Sequence, residues 1–437
     1  MKIIKIDRCF FALFILILYL FFINTVLSLG YKALRIKDVQ NPIISAVFQN
    51  TDLYYTNLHK DITIDWQKLY PIENKPDLSN SLEYYSDKIK TYKGKIDKYT
   101  NSHLIGYINL VELSKYYNNL IGWSIVPIND KEAVIKLKDG YLSWNYRKKV
   151  DISIAADNLI NFKQYAQENG IPLLYVQNPY KISAYQDKDI AGIKDFTNEN
   201  ADDFLTELHQ NNVSVLDMRD YLRDLQVNQH ELFFRTDHHW RPETGLYASK
   251  ILAENLNERY GFSIDTELLN KDNFDFITYR NWFLGSQGKR VTLVNTEPDD
   301  ISLIYPKYNT SFEYKITSLD MDRRGDFSVI YNMDEIKEKS FYNKNPYGAY
   351  NYADRAEIVI KNLNAANNLK ILFVKDSFVN SVAPFMALGV KQVNVIDLRS
   401  FNGSIRNYVK KEKPDLIIVM YNASAFNDDS FKFFSFN

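Results

Sequence analysis

The sequence predicts an α/β fold, a parallel sheet covered by helices on both faces, and three observations predict it. The short apolar runs LLYV (173–176), VSVLD (213–217), ILFV (371–374), QVNVI (392–396) and LIIVM (416–420) have the length and continuity of strands buried on both sides. Helical patterns separate them, which calls for parallel crossover connections. Apolar residues at 46% against charged residues at 24% supply a full core and exclude a disordered chain.

In chain order, the first element is a membrane segment. The run from Cys9 to Leu29 carries no charge, and at 1.5 Å per residue it crosses roughly 30 Å of bilayer hydrocarbon. Lys2, Lys5 and Arg8 precede it with only Asp7 opposed, so residues 1–8 are expected to form a cytoplasmic tail and 9–29 a signal anchor. A cleaved signal peptide is the alternative, because Val26 and Ser28 are small enough for a cleavage site, but the run exceeds a usual signal-peptide core. Either way, the chain after Gly30 is expected outside the cytoplasm, in a single-pass protein of the cell membrane. There is no ATP or NAD pool there, and neither common Gly-rich phosphate loop is present. Hydrolysis, group transfer from a delivered donor, or binding remain.

Residues 30–130, polar and rich in Tyr and Lys, read as a stalk and accessory region preceding a catalytic domain over 131–437. AVIKLKDGYLSWNY (133–146) reads as a hairpin turning at Asp139-Gly140. Ala155, Leu159, Phe162 and Ala166 share one helix face, which should stop at Gly170 before Pro172 leads into the first strand. A helix near 202–210 precedes the second strand, and Pro242 opens another that runs through Ala248, Leu252 and Leu256. The stretch 265–370 lacks the alternation and reads as a β-rich insertion that roofs the site or forms a groove. After ILFV, a helix is expected across Phe378–Leu388 with Gly389 as its stop, and another near Ser404–Lys411. Sites in such sheets lie beyond the carboxyl ends of the strands.

Composition narrows the chemistry. Lys and Arg total 53 against 54 Asp and Glu, so no basic excess drives nucleic-acid binding. A single cysteine, Cys9, excludes an internal disulfide framework and cysteine-held metal clusters. The 15% of aromatic residues suits sugar-stacking surfaces, although a compositional bias gives the same figure.

Two of the six histidines stand together in TDHHW. In extended backbone residues i and i+2 share a side, so Asp237 and His239 can face one cleft, the carboxylate orienting the imidazole, while His238 points away. Ser377 follows a buried strand and opens a helix, where its own N–H and the helix dipole can stabilise an oxyanion. A Ser in that place can equally be an N-cap; the Asp-His pair at the same sheet edge favours a nucleophile, which needs a base and an orienting acid. Ser286 in LGSQGKR is a rival nucleophile, but it lacks a preceding buried strand and helix and its Gly flanks suit a tight turn better; Ser381, one turn into the helix, would point at solvent or the core. An Asp-His-His also occurs in metal-dependent phosphoesterases, but beyond Asp217 no convincing further ligand set follows strand ends.

Asp237-His238-His239-Trp240, with Asp376-Ser377 downstream, resembles the DHHW family, SGNH-hydrolase-like proteins related to the periplasmic alginate O-acetylation proteins. LGSQGKR (284–290), VIDLRSF (395–401) and PDLIIVMYN (414–422) are further family-like pieces. The resemblance implies a flavodoxin-like three-layer sandwich and a Ser-His-Asp triad of Ser377, His239 and Asp237, with the nucleophile last in the chain. It implies that His238, Arg399, Tyr421 and Asn422 line the cleft, holding substrate or the oxyanion. It also implies acetyl transfer to a cell-envelope polysaccharide, with a membrane-bound O-acyltransferase partner supplying the donor and no metal or cofactor. An esterase with the same triad, or a non-catalytic glycan-binding envelope protein, is the alternative.

Overall fold

The computed structural model describes residues 125–127, 132–185, 193–427 and 429–433. The expected tail, the anchor at 9–29 and nearly all of the stalk lie outside the described residues. Among the described residues no helix is long and apolar enough to cross a membrane.

The domain opens on strands β1 (Ile125–Pro127), β2 (Glu132–Lys136) and β3 (Leu142–Tyr146), a small antiparallel sheet. The β2–β3 turn passes through Asp139 and Gly140, both with positive φ (59° and 82°), as an Asp-Gly pair allows. Helix α1 (Ser153–Glu168) leads to β4 (Leu173–Asn178), and α2 (Thr197–Gln210) to β5 (Ser214–Asp217) and the short α3 (Met218–Asp224). Helix α4 (Pro242–Tyr260) starts with Pro in its first turn and ends at Gly261, whose φ of 68° gives the left-handed C-terminal stop.

The stretch 265–370 contains β6 (Phe274–Phe283), α5 (Ser286–Val291), β7 (Asp299–Pro306), β8 (Phe312–Ile316), β9 (Met321–Gly325) and β10 (Glu357–Asn362). Only β6 and β7 pair as a separate ribbon; β8, β9 and β10 extend the main sheet instead of roofing it. The chain closes with β11 (Lys370–Lys375), α6 (Ala383–Gly389), β12 (Gln392–Ile396), α7 (Ile405–Glu412) and β13 (Leu416–Asn422). The helix expected across Phe378–Leu388 is broken: a 3-10 turn, Ser377–Ser381, precedes α6.

The main sheet runs β5-β4-β13-β11-β12-β10-β8-β9, the first five parallel and the last three antiparallel. Counted from β11 and wrapping from β13 back to β4, the parallel strands lie in the order 2-1-3-4-5, the flavodoxin-like order entered at a different point of the chain. This is why the Ser-bearing strand comes late in the sequence although it is central in the sheet. Alternate strand residues enter two cores. On β13, Leu416, Ile418 and Met420 join the face of α4 and α6, whereas Ile417, Val419 and Tyr421 join the face of α1, α2 and α7.

Candidate active site

The carboxyl end of β11 delivers Asp376 and Ser377. The 3-10 turn is capped by Asp376, not by Ser377: the Asp376 carboxylate accepts the Phe378 N–H at 3.0 Å and the Asn422 N–H at 2.5 Å. Ser377 is thus freed from capping. As the first residue of its turn, it holds an N–H with no intrahelical acceptor.

Asp237, His238 and His239 lie in a tight bend before Trp240 and α4. Asp237 Oδ1 accepts the His239 backbone N–H at 3.1 Å, closing a local turn. The turn replaces the extended backbone expected here. Asp237 and His239 still share a side, but His238 is folded alongside, its ring 3.9 Å from that of His239. His239 Nδ1 lies 2.5 Å from Asp237 Oδ1, and its Nε2 lies 2.6 Å from Ser377 Oγ. The imidazole therefore bridges carboxylate and hydroxyl through opposite nitrogens, the geometry that relays a proton. His239 is 7% exposed and Asp237 3%, while Ser377 stays half-buried, open to a ligand.

Several groups fix this constellation. Tyr347 stacks on His239 at 4.1 Å and donates its hydroxyl to the Ser377 carbonyl at 3.0 Å. The Trp240 indole N–H donates to Ser381 Oγ at 2.9 Å, so Ser381 is a buried tie between the two motifs. Ser286 follows β6, whose middle is mostly exposed, so the buried strand is absent as expected, but it opens the short helix α5, contrary to expectation. Its N–H donates to Asp237 Oδ2 at 2.6 Å, and its hydroxyl lies 3.2 Å from His238 Nδ1. That same His238 nitrogen is the one that faces Asp237, so His238 cannot pass a proton from Ser286 to the acid. Gly285 allows this approach: a Cβ there would lie 2.2 Å from Asp237 Cβ. Lys181, fully buried beyond β4, donates to the carbonyls of Asp237 and Leu142, both at 2.5 Å, and to Gln287 at 3.2 Å.

The electrostatics follow from burial and these pairings. Burial raises the Asp237 carboxyl, but the nearby His238 and His239 and the donors from His239 and Ser286 outweigh it, holding it well below the usual carboxylate range. Burial, with His239 and Lys181 nearby, pushes His238 down to about 3, against the pull of Asp237, and so keeps it neutral. Burial also pushes the Lys181 amine down to about 7, against the pull of Asp299 and Asp237.

The other expected cleft residues behave differently. Arg399 is turned onto carboxylates, donating to Asp397 at 2.6 and 2.9 Å and to Asp354 at 3.0 Å. Lys375, fully buried at the end of β11, pairs with the same Asp354 and Asp397 and bonds Asn380. This network braces the turn that carries Ser377. Asp354 reaches it from Asn351, Tyr352 and Ala353, three consecutive residues at positive φ, a strained segment. Tyr421 is a correction: it sits on the far face of the sheet, wholly buried, its hydroxyl on the Ser430 carbonyl. Asn422 spends its side chain on Pro179 and Ser424 and its N–H on Asp376, so it positions the turn and is not aimed at a ligand.

Asp237, His238 and His239 offer three ligand atoms within 4.8 Å, and among the described residues no further acidic or histidine atom joins them. Two-metal phosphoester chemistry requires more ligands than that. Tyr347, Lys181 and the Lys375–Asp354 pair escaped sequence reasoning. Only Lys181 and Lys375 carried a signal, as cations at the ends of buried strands.

Residues 141–274 match the family described as SGNH hydrolase-like domain, acetyltransferase AlgX. No curated protein matches the chain. Among solved structures the chain resembles PatB1 of Bacillus cereus with a sulfonyl adduct, at 21% identity and TM-score 0.59, covering 70% of this chain and 99% of that one. A DHHW family protein from Eubacterium siraeum is similar at 17% identity and TM-score 0.52, covering 71% and 97%. The matched stretch contains Asp237–Trp240 and resembles an SGNH hydrolase-like acetyltransferase domain, and the solved structures share the α/β fold.

Proposed function

We propose that the protein is a membrane-anchored O-acyltransferase that moves an acyl group, acetyl by resemblance, onto a cell-envelope polysaccharide outside the cytoplasm. The observation that carries this reading is the continuous hydrogen-bonded line Asp237–His239–Ser377 at a half-open strand end. Ser377 Oγ attacks the donor's acyl carbonyl as its proton passes to His239 Nε2, and the charged imidazole is stabilised by Asp237, which stays ionised. The tetrahedral oxyanion accepts from the Ser377 N–H. Collapse expels the donor's leaving group, which takes the proton from His239, and leaves an acyl-serine. A sugar hydroxyl then gives its proton to His239 and attacks the ester. Ser377 departs, recovering that proton. The donor is handed over by a membrane-bound O-acyltransferase partner.

Purified protein incubated with a chromogenic acetyl ester and an oligosaccharide tests this. Acetylated oligosaccharide is the expected product, and release of acetate alone would assign the esterase reading instead. Ser377→Ala should lower either activity by about 10³-fold or more while leaving stability within roughly 0.5 kcal/mol. An unchanged rate would remove Ser377 as the nucleophile, and no activity in the unaltered protein with an envelope phenotype that survives Ser377→Ala would support the non-catalytic glycan-binding reading.

A further inference from the structure

The backbone of Asp237 is held by a cation that takes no part in the proton transfers. Lys181, just past β4, is wholly buried. Its Nζ donates to the Asp237 carbonyl and to the Leu142 carbonyl of β3, both at 2.5 Å, and to Gln287 Oε1 of α5 at 3.2 Å. Gln287 is wholly buried as well. An ammonium carries three N–H donors and no acceptor, so its donors match these three oxygens one for one. The charged and titratable groups facing it are Asp237 and His238 of the bend and Asp299 of β7. Asp299 grips the two residues before Asp237, accepting the Arg235 N–H at 2.6 Å, the Thr236 N–H at 2.8 Å and the Thr236 hydroxyl at 2.6 Å.

We propose that Lys181 is a positioning residue for the catalytic acid, its ammonium tying the Asp237 backbone to β3 and α5, and that acyl transfer requires this amine to be charged. This role rests on the acyl-transfer reading of the triad. A neutral amine has only two N–H donors for the three oxygens and turns its lone pair on the third. In a buried site that repulsion is costly, and moving the Asp237 carbonyl to relieve it moves the side chain that holds His239 Nδ1 at 2.5 Å. A displacement of about 1 Å in such a constellation costs about 10²-fold in rate. Burial brings the loss of the proton into the working range, pushing the amine down to about 7 against the pull of Asp299 and Asp237. Activity therefore falls as pH rises through that value. Folding stability moves the other way. Between about 7 and the ordinary lysine value of 10.5, the unfolded chain holds a proton that the folded chain has given up, so stability rises with pH. Opposite trends in rate and stability separate positioning from loss of the fold.

Initial rates of acetyl-ester hydrolysis without acceptor, by the full-length protein in detergent between pH 6 and 9 and corrected for uncatalysed hydrolysis, are set beside denaturant midpoints at the same pH values. The kcat should fall above about pH 7 with KM little changed, while the midpoint rises. Lys181→Met should lower kcat at pH 6 by about 10²-fold, and should lose both the fall in rate and the rise in midpoint. That variant leaves three buried oxygens without their donor and can fail to fold, so Gln287→Glu provides a second arm. A carboxylate beside the ammonium favours its charged form and should move the fall in kcat to higher pH by about one unit or more. A rate that stays level through pH 9, a fall that persists in Lys181→Met, or no displacement in Gln287→Glu overturns the role of Lys181. Absence of hydrolysis at every pH would instead count against the acyl-transfer reading itself. The stability arm needs no turnover, and a midpoint that does not rise between pH 7 and 9 sinks the Lys181 proposal by itself.

Discussion

Burial opposes protonation of His238, and the sign of the effect on stability can be worked out. Its folded value lies near 3, against an ordinary value of about 6.5. Between those values the unfolded chain takes up a proton that the folded chain refuses, so the stability it supports is present above about pH 6.5 and is lost as pH falls towards 3. One proton corresponds to about 1.4 kcal/mol per pH unit. His238→Gln should flatten that part of a plot of unfolding free energy against pH, and an unchanged slope would show that His238 does not titrate this way. Asp237 is depressed in the folded state as well, so its contribution is lost at still lower pH. Asp237, His239 and Ser377 were legible because each lies in a short motif next to a strand or helix signal. Tyr347 and Asp354 were not, because they reach the site only through tertiary packing of an irregular segment. Tyr421 was misplaced because the carboxyl end of a strand was read without asking which face the alternation gives that residue.

Among the elements, LGSQGKR shows how a short segment packed behind an acid can hold it in place. Gly285 donates its N–H to Thr236 Oγ1 and Gly288 donates to the Thr236 carbonyl, both at 2.8 Å, which lays α5 against the bend holding Asp237. Gly285→Ala would drive a methyl group into Asp237 and the Thr236 carbonyl. It should cost about 1–3 kcal/mol in stability and, by shifting the acid, lower activity further than that loss of folded protein explains. Denaturant unfolding and initial rates measured on the same preparation check this; a variant with wild-type rates would show that the acid tolerates displacement. The parallel strands were legible as continuous apolar runs, and α4 by its Pro and Gly punctuation. The joining of β8–β10 to the main sheet was not, because strand order is set by long-range pairing that leaves no local pattern. The break before α6 follows from Asp376 capping a 3-10 turn whose carboxylate also holds β13.

For the whole molecule, the charge-free run from Cys9 to Leu29 should hold the protein at the membrane, and truncation before Gly30 should release the catalytic activity into the soluble fraction. Full-length protein found soluble after fractionation would contradict the anchor. The near balance of 53 basic and 54 acidic residues provides no net charge of one sign to steer a charged ligand to the molecule. The central claim is that a permuted flavodoxin-like sheet brings Ser377 to His239 and Asp237 as an acylated nucleophile. Peptide mass spectrometry after brief exposure of the full-length protein to an activated acetyl ester tests it most directly. A single acetyl group on the peptide bearing Ser377, absent in His239→Gln, is the predicted result; acetyl on Ser286, or on no serine at all, would contradict it.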